Sequence, residues 1–298
     1  MHTVNRLADL RAAVDSLRSR GDVALVPTMG ALHHGHLALV REAREQAPAV
    51  VVSIFVNPAQ FGPHEDLAAY PRQLAEDARL LETAGVDLLW APPVDEVYPQ
   101  GFATTVSVAG LGESLCGAAR PGHFDGVATV VAKLFAQVRP DHALFGEKDW
   151  QQLAVIRRMA RDLDLTQPSA GRILGVPTVR EPDGLAMSSR NRYLSAEDRS
   201  RAAVLPLAMR KAIAVIEAGA AVSRVLETTR AALLAGGFSS VDYVELAEAN
   251  SLAPLGRLDD RPARLFVAAR IGGTRLIDNM AVGDDDGPPP SPSAPPPP

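Results

Sequence analysis

The first half of the chain alternates short, almost continuously apolar runs with longer amphipathic ones. We predict strands at residues 23–26, 50–56, 87–90 and 143–145, and helices at 35–46, 74–84, 127–138 and 150–163. Near-continuous apolar strands between helices indicate a parallel sheet covered on both faces. Ligands of such sheets bind beyond the carboxyl ends of the strands. We therefore expect the functional residues in the loops that begin at Pro27, Asn57, Gly146 and Val176.

The pattern changes after about Tyr193. Ser195 and Asp198 fit a capping box, with Ser195 as N-cap and Asp198 returning to its backbone. A long helix and a second helix ending at Gly236 follow. Three strand-like runs come next, at 241–246, 264–269 and 274–277, the last two joined by a glycine pair that predicts a hairpin. We predict three parts: a Rossmann-like domain at 1–177, an α+β domain at 178–282, and a disordered Asp/Pro-rich tail at 283–298.

Composition and charge exclude several classes of protein. The net charge of −5 gives no basic field for nucleic acid, so an anionic substrate needs a local cationic cluster. Cys116 is the single cysteine, which rules out an intrachain disulfide. Residues 1–20 form an amphipathic segment with Leu7, Leu10, Val14 and Leu17 on one face rather than a signal peptide. With no apolar stretch long enough to span a bilayer, we expect a cytoplasmic protein without a membrane partner.

The sharpest chemical feature is the block from Pro27 to His36, which follows the first strand and opens the first helix. A helix start offers unpaired N–H groups and a positive dipole end, both suited to phosphate. His33 and His36 are three residues apart and share one face of that turn, where they can donate hydrogen bonds to phosphate oxygens. Zinc would require a third ligand, and neither a GxxxxGK[ST] nor a GxGxxG phosphate loop occurs in the chain.

Further blocks in a fixed order make the resemblance specific. Beside the HxGH block they are residues 55–62 (FVNPAQFG), 70–72 (YPR), 120–124 (RPGHF), 146–149 (GEKD), 175–180 (GVPTVR) and 187–194 (MSSRNRYL). Together they resemble the pantothenate synthetase (pantoate–β-alanine ligase) family of the HxGH nucleotidyltransferase superfamily. The resemblance implies a doubly wound, Rossmann-like sheet with a smaller C-terminal α+β lid domain. It also implies ATP-dependent condensation of (R)-pantoate with β-alanine, through a pantoyl-adenylate, to pantothenate, AMP and pyrophosphate.

The resemblance also implies a role for particular residues. The residues expected to bind ATP are Pro27, Met29, Gly30, Ala31, Leu32, His33, His34, Gly35, His36, Gly146, Glu147, Lys148, Asp149, Val179, Met187, Ser188, Ser189 and Arg190. The catalytic set is His36, which the family assigns as proton donor, with His33, Lys148, Ser188, Ser189 and Arg190. Gln60 and Gln152 are expected to bind pantoate, and Gln60 later β-alanine.

The chemistry of these residues fits those roles. Gln60 follows a strand broken by Asn57 and Pro58, and its amide both donates and accepts. Two hydroxyls and a guanidinium at 188–190 suit a triphosphate, and turn-forming residues 181–184 predict a mobile loop that closes over it. An anion such as Asp149 favours ATP only through Mg²⁺. Asp77, beside Glu76, resembles an acidic position associated with that metal. Arg120 falls in a loop that bears on the family's active site, and we interpret His123 as structural.

Two other functions remain open at this stage. The first is a nucleotidyltransferase whose product keeps the nucleotide, which HxGH permits and the blocks around Gln60 and Gln152 disfavour. The second is a nucleotide-binding regulator without turnover, which retention of His36, Lys148 and Asp149 disfavours. The resemblance further implies a homodimer.

Overall fold

A computed structural model describes residues 1–63 and 65–283 of the chain. The chain divides into two compact units. The first contains Met1–Val179 and Met187–Arg192, and the second contains Arg180–Ala186 and the chain from Tyr193 onward. The predicted boundary at residue 177 lies two residues before Val179, and Met187–Arg192, which we placed in the second domain, is part of the first unit. Met187–Arg192 belongs to the first unit because its side chains bond there, as described below. Most of the tail that we predicted to be disordered, residues 284–298, lies outside the described residues.

The first unit is built on six parallel strands. They are β1 (His2–Val4), β2 (Val23–Thr28), β3 (Ala49–Ile54), β4 (Leu88–Trp90), β5 (His142–Gly146) and β6 (Ile173–Val176). Their order across the sheet is β1-β4-β3-β2-β5-β6, with every neighbouring pair parallel. The predicted doubly wound sheet is confirmed. From β2 the chain runs outward through β3 and β4 on one side, and later through β5 and β6 on the other. The carboxyl ends of β2 and β5 therefore flank the switch in strand order, where such sheets bind ligands.

Helices accompany the strands of this unit. They are α1 (Leu7–Arg18), α2 (His34–Gln46), α3 (Leu74–Thr83), α4 (Val94–Val97), α5 (Cys116–Ala119), α6 (His123–Val138) and α7 (Trp150–Asp162). All four residues from Val23 to Val26 have no exposed surface. Ala24 and Val26 pack in one cluster with Leu39 and Val40 of α2. Because successive strand residues point to opposite faces, the full burial of this run shows that both faces are covered.

The second unit combines helices with a small antiparallel sheet. The helices are α8 (Ala196–Ala202), α9 (Val204–Glu217) and α10 (Val222–Ala235), and the strands are β7 (Ser240–Glu248), β8 (Ala263–Ile271) and β9 (Thr274–Val282). The sheet order is β7-β8-β9. Gly272 and Gly273 join the last two strands with φ of 54° and 75°, as a type I′ hairpin turn requires. The predicted hairpin is confirmed. None of the helices in the described part of the chain has the length and apolar character needed to cross a membrane.

Two local predictions for this unit were wrong. The single long helix expected after Ser195 is two helices that meet at Ala203. Pro206 is the reason, because proline lacks an N–H and is tolerated only in the first turn, so a new helix begins just before it. Ser195 caps α8 as predicted, its Oγ accepting from Asp198 N at 3.0 Å. The Asp198 carboxylate, however, accepts from the Ser195 hydroxyl at 2.8 Å instead of returning to the backbone.

Candidate active site

Two histidines close the turn between β2 and α2. His33 is the N-cap of α2, and its Nδ1 accepts a hydrogen bond from Gly35 N at 3.1 Å. His36 Nδ1 in turn accepts from His33 N at 3.3 Å. A backbone N–H can only donate, so each Nδ1 is the unprotonated nitrogen of its ring. We therefore assign the ring proton of both imidazoles to Nε2, which makes each ring an N–H donor on the side away from the backbone.

The electrostatic surroundings keep both rings neutral. Burial, followed by the positive charge of Lys148, lowers the pKa of His33 to about 4. Burial, followed by the neighbouring His33 and by Lys148, lowers the pKa of His36 to about 3. The ring centroids are 4.2 Å apart, so two imidazolium charges here would repel strongly. At neutral pH the pair presents two uncharged hydrogen-bond donors rather than two cations.

Asp77 holds the backbone of the same turn. Its side chain is fully buried in the first unit. The two carboxylate oxygens accept from Ala31 N at 2.8 Å and Leu32 N at 2.9 Å, and Gln73 Nε2 donates at 3.2 Å. Gly30 and Ala31 both have positive φ, 79° and 51°, a conformation that costs energy for alanine. Sequence reasoning missed this structural role and suggested a metal ligand instead. A signal was present, because Asp77 stands four residues before the buried Leu81 on the inner face of α3.

The serine-containing loop lies against the histidine turn. Ser189 Oγ donates to Ala31 O at 2.9 Å, and Met187 N donates to the carbonyl of Val179 at 3.0 Å. Ser188 Oγ accepts from the backbone N of Arg190 at 3.3 Å. The two loops expected to bind a triphosphate are thus brought together within one compact unit.

Arg190 has a partner that the sequence did not predict. Its Nε and Nη2 donate to the two oxygens of Asp66 at 3.0 and 2.9 Å, and its guanidinium lies 5.8 Å from the ring centre of Tyr70. A bidentate pair of this kind compensates the positive charge locally. Phosphate binding by Arg190 stays a prediction, and it requires Arg190 to share or leave Asp66.

The segment after β5 supplies a cation to the site. Glu147, Lys148 and Asp149 form one turn of 3-10 helix directly after Gly146. Lys148 Nζ is 3.8 Å from Asp149 Oδ1, and the Lys148 side chain is mostly buried while that of Asp149 is about half exposed. The positive charge of Lys148 contributes to the lowered pKa of both imidazoles.

Gln60 lies in a 3-10 turn after β3, and its amide has contacts at both ends. Asn57 Nδ2 donates to Gln60 Oε1 at 3.1 Å, and Gln60 Nε2 donates to Met29 Sδ at 2.9 Å. The second contact joins Gln60 to the residue just before Gly30. Gln152, the other expected pantoate residue, lies partly exposed in the first turn of α7. Its neighbour Gln151 is the buried one and donates to the carbonyls of Leu111 and Ser114, both at 2.8 Å.

A cluster around Arg120 fixes the Gln60 backbone. Arg120 donates to both oxygens of Glu65 at 2.6 Å and to Gln60 O at 3.2 Å. His123 Nε2 lies 3.0 Å from Arg120 Nη1, a permanent donor, so its proton is on Nδ1 and donates to Gln60 O at 2.8 Å. Burial and the Arg120 charge lower the pKa of His123 to about 4. Burial alone would raise the pKa of Glu65, but Arg120 lowers it to about 2. We expected a site role for Arg120 alone, and sequence reasoning missed Glu65.

These features define a class of protein. A turn of paired imidazoles, a lysine and a serine loop gather at the carboxyl edge of a doubly wound parallel sheet, as in enzymes that transfer nucleotidyl groups from nucleoside triphosphates. Comparison with known proteins narrows the class. The model of the family described as "Pantoate-beta-alanine ligase" matches residues 2–281. The chain belongs to the pantoate–β-alanine ligase family, whose known reaction is the ATP-dependent condensation of pantoate and β-alanine.

Individual relatives agree with this assignment. The chain is 67% identical over 284 residues to pantothenate synthetase of Novosphingobium aromaticivorans, covering 95% of this chain and 99% of that protein. It is similar to the crystal structure of pantothenate synthetase from Thermus thermophilus, with a TM-score of 0.88, 52% identity, and coverage of 94% and 99%. A pantoate-beta-alanine ligase from Francisella tularensis, complexed with beta-gamma ATP and beta-alanine, has a TM-score of 0.80 at 33% identity, with coverage of 94% and 97%. The predicted family is confirmed, and both alternative functions are disfavoured.

Proposed function

We propose that this chain joins (R)-pantoate to β-alanine in two steps, through a pantoyl-adenylate. Membership of the family supports the overall reaction. The observation that carries the mechanism is the neutral imidazole pair, whose Nε2–H groups are set by backbone bonds to Nδ1. Paired donors fixed before the reaction are what a developing negative charge requires, because they need no rearrangement in the transition state.

In the first step a carboxylate oxygen of pantoate attacks the α-phosphorus of ATP. A carboxylate–phosphorus bond forms, the bond to the leaving oxygen breaks, and pyrophosphate departs with the electron pair. His33, His36 and Lys148 stabilise the charge that grows on the phosphates. A neutral imidazole is a very weak acid, so we assign His36 a hydrogen-bond role rather than full proton transfer, which differs from the family's proton-donor description.

In the second step the amine of β-alanine attacks the acyl carbon. The new amide bond forms as the acyl–oxygen bond breaks, AMP leaves with the electron pair, and the amine gives its proton to water. Gln60 serves both steps, because its amide can contact pantoate and then β-alanine. Gln152 completes the pantoate site in this proposal.

The remaining nucleotide contacts are proposed on the same basis. The HxGH turn and the 3-10 turn after β5 hold the phosphates, and the backbone of Val179 contacts the base. Ser188, Ser189 and Arg190 bind the triphosphate after Arg190 exchanges Asp66 for phosphate oxygens. The homodimer stays a proposal that rests on resemblance, and the cytoplasmic location stays one that rests on the pattern of the sequence.

Magnesium fits one of its two expected protein positions. Asp149 offers a half-exposed carboxylate next to Lys148, and Mg²⁺ commonly combines one or two carboxylates with substrate phosphates. Asp77 fits poorly, because it is fully buried and both its oxygens accept backbone N–H groups. Among the described residues no three His, Cys, Asp or Glu side chains gather as a metal site. When bound, the ion would neutralise part of the phosphate charge.

Release of AMP tests the proposal directly. The purified protein is incubated with ATP, Mg²⁺, pantoate and β-alanine, and each organic substrate is omitted in turn. AMP that forms only when both are present supports ligation, whereas pyrophosphate release with a lasting nucleotidyl product would exclude it. Binding of ATP without turnover would favour the regulator.

Variants of the site test the assigned roles. His36→Ala and Lys148→Ala are each expected to lose adenylation by on the order of 10²-fold, as removal of transition-state donors does. Lys211→Ala, an exposed lysine of α9, is the matched control and should keep full activity. Normal pyrophosphate release by the His36 and Lys148 variants would refute the roles while leaving the fold unaffected.

A further inference from the structure

We propose that Tyr98 is a positioning residue that, together with the backbone at Ala59 and Gly126, holds the amide of Gln60 in its orientation through Asn57. The inference rests on the proposed function only in taking Gln60 as a substrate contact. Tyr98 follows α4, far along the chain from the turn that holds Gln60. Its hydroxyl is 2.8 Å from Asn57 Oδ1.

The orientation of Asn57 is decided by two backbone groups. Ala59 N donates to Asn57 Oδ1 at 3.2 Å, and Asn57 Nδ2 donates to the carbonyl of Gly126 at 3.0 Å. An N–H cannot accept and a carbonyl cannot donate, so the Asn57 amide has only one possible orientation. The Asn57 side chain is 1% exposed, so solvent cannot replace these partners.

The close approach of α6 makes this arrangement possible. A Cβ on Gly126 would collide with the carbonyl oxygen of Ala59. Only glycine therefore lets the first turn of α6 pack against the 3-10 turn that carries Gln60. That contact brings the Gly126 carbonyl within reach of Asn57.

The orientation of the Asn57 amide determines the orientation of the Gln60 amide. The second hydrogen on Asn57 Nδ2 is donated to Gln60 Oε1 at 3.1 Å. Gln60 must then point its Nε2 the other way, and that nitrogen donates to Met29 Sδ at 2.9 Å. A thioether is a weak acceptor, so a carboxylate or hydroxyl oxygen of a substrate would displace it readily. Gln60 is thus presented to the substrate as an N–H donor.

Tyr98 completes the arrangement on the Oδ1 side of Asn57. Asn57 Oδ1 can only accept, so the Tyr98 hydroxyl must donate. Burial raises the pKa of Tyr98 to about 12, and the hydroxyl keeps its proton at neutral pH. The ring is held by Phe55 and Phe102, with centroids 6.1 and 5.0 Å away. Removal of the hydroxyl leaves the ring in place but leaves Asn57 with one partner fewer.

The test is steady-state kinetics of Tyr98→Phe with AMP release as readout. Loss of one hydrogen bond lowers a rate or binding constant by roughly two- to tenfold. We expect kcat/KM for pantoate to fall by about that factor, while KM for ATP stays unchanged. Tyr243→Phe, which removes a tyrosine hydroxyl from β7 of the second unit, is the matched control and should leave both parameters near the parent values. If the KM for ATP changes by the same factor as kcat/KM for pantoate, the proposal is overturned.

A double-mutant cycle with Gln60→Ala separates positioning from general damage. If Tyr98 acts through Gln60, Tyr98→Phe has little further effect once the Gln60 amide is gone. The same fold-loss in both backgrounds would refute the relay. If Tyr98→Phe does not fold, as judged by circular dichroism, the cycle is run with Asn57→Asp, which keeps both acceptor contacts and lacks the Nδ2 donor. A parent enzyme that makes no substrate-dependent AMP would refute the proposed function instead.

Discussion

Replacement of Asp77 by asparagine tests whether this carboxylate is structural or metal-binding. The change keeps the size of the side chain but turns one acceptor oxygen into an NH2 group. One of the two backbone donors, Ala31 N or Leu32 N, then faces another donor and loses its partner in a fully buried place. A hydrogen bond to a charged group contributes about 1.5–3 kcal/mol, and the stranded N–H adds a desolvation cost.

The expected loss of stability is therefore about 3 kcal/mol. A loss of that size shifts the melting temperature by roughly 6–12 °C for a folding unit of about 150–250 residues, the size range of the first unit. Where Ala31 N is the donor that loses its partner, Ala31 also loses the bond that holds it at φ of 51°, a conformation that costs about 1–2 kcal/mol for a residue with a Cβ. The histidine turn should relax, and adenylation should fall by on the order of 10²-fold, as it does when transition-state donors are misplaced.

Thermal unfolding and pyrophosphate release measure these two effects. Glu76→Gln is the matched control, because Glu76 lies in the same first turn of α3 and is exposed; a surface change of this kind stays within about 0.5 kcal/mol. The structural role also predicts that raised Mg²⁺ does not restore Asp77→Asn activity. If Asp77→Asn has normal stability and excess Mg²⁺ restores its activity, the structural role is refuted and Asp77 is a metal ligand.

Two further predictions concern the histidine turn. In Gly35→Ala the new Cβ would fall 2.8 Å from His33 Cε1 and 2.9 Å from Nδ1, so the ring must rotate and lose its cap, worth about 1 kcal/mol. Pyrophosphate release by Gly35→Ala should drop at least tenfold. Gly171→Ala, which has open space at its Cβ position, is the control and should leave pyrophosphate release unchanged. Acid should destabilise the protein, because the pKa of His36 is lowered to about 3 and the unfolded chain binds more protons between about pH 6.5 and that value. Unfolding free energy in urea should fall by about 2 kcal/mol per buried histidine from pH 7 to pH 5. His36→Gln should reduce that slope, and an unchanged slope would contradict the assignment.

The fold was largely predictable because its signals are local and repeated. Strands β2, β3 and β5 are continuous apolar runs, and the helices between them carry clear amphipathic patterns. Strand β1 was missed because three residues are too few to show a period. Helix α6 begins four residues earlier than predicted, since Gly122 at φ of 79° starts the helix and leaves no apolar stripe to mark its first turn.

The site was predictable in its residue types but not in its contacts. Motif blocks identified His33, His36, Lys148 and the serine loop, and the structure brings the histidines and Ser189 together. The pairing of Arg190 with Asp66 spans 124 positions of the chain, and no local pattern encodes it. Tertiary packing likewise decides that Asp77 faces inward when most helix carboxylates face water.

The cap of α2 has a consequence for what can occupy position 33. Serine, aspartate or asparagine would start this helix at least as well as histidine does. An aspartate has no donor and a serine hydroxyl is engaged at the cap, while the amide nitrogen of asparagine lies closer to the backbone than Nε2 of an imidazole. Selection for stability alone would therefore replace His33 by one of these residues. The fold would be kept, but the enzyme would lose activity. At position 33, the residue that gives the most stable protein therefore differs from the residue that gives the most active one.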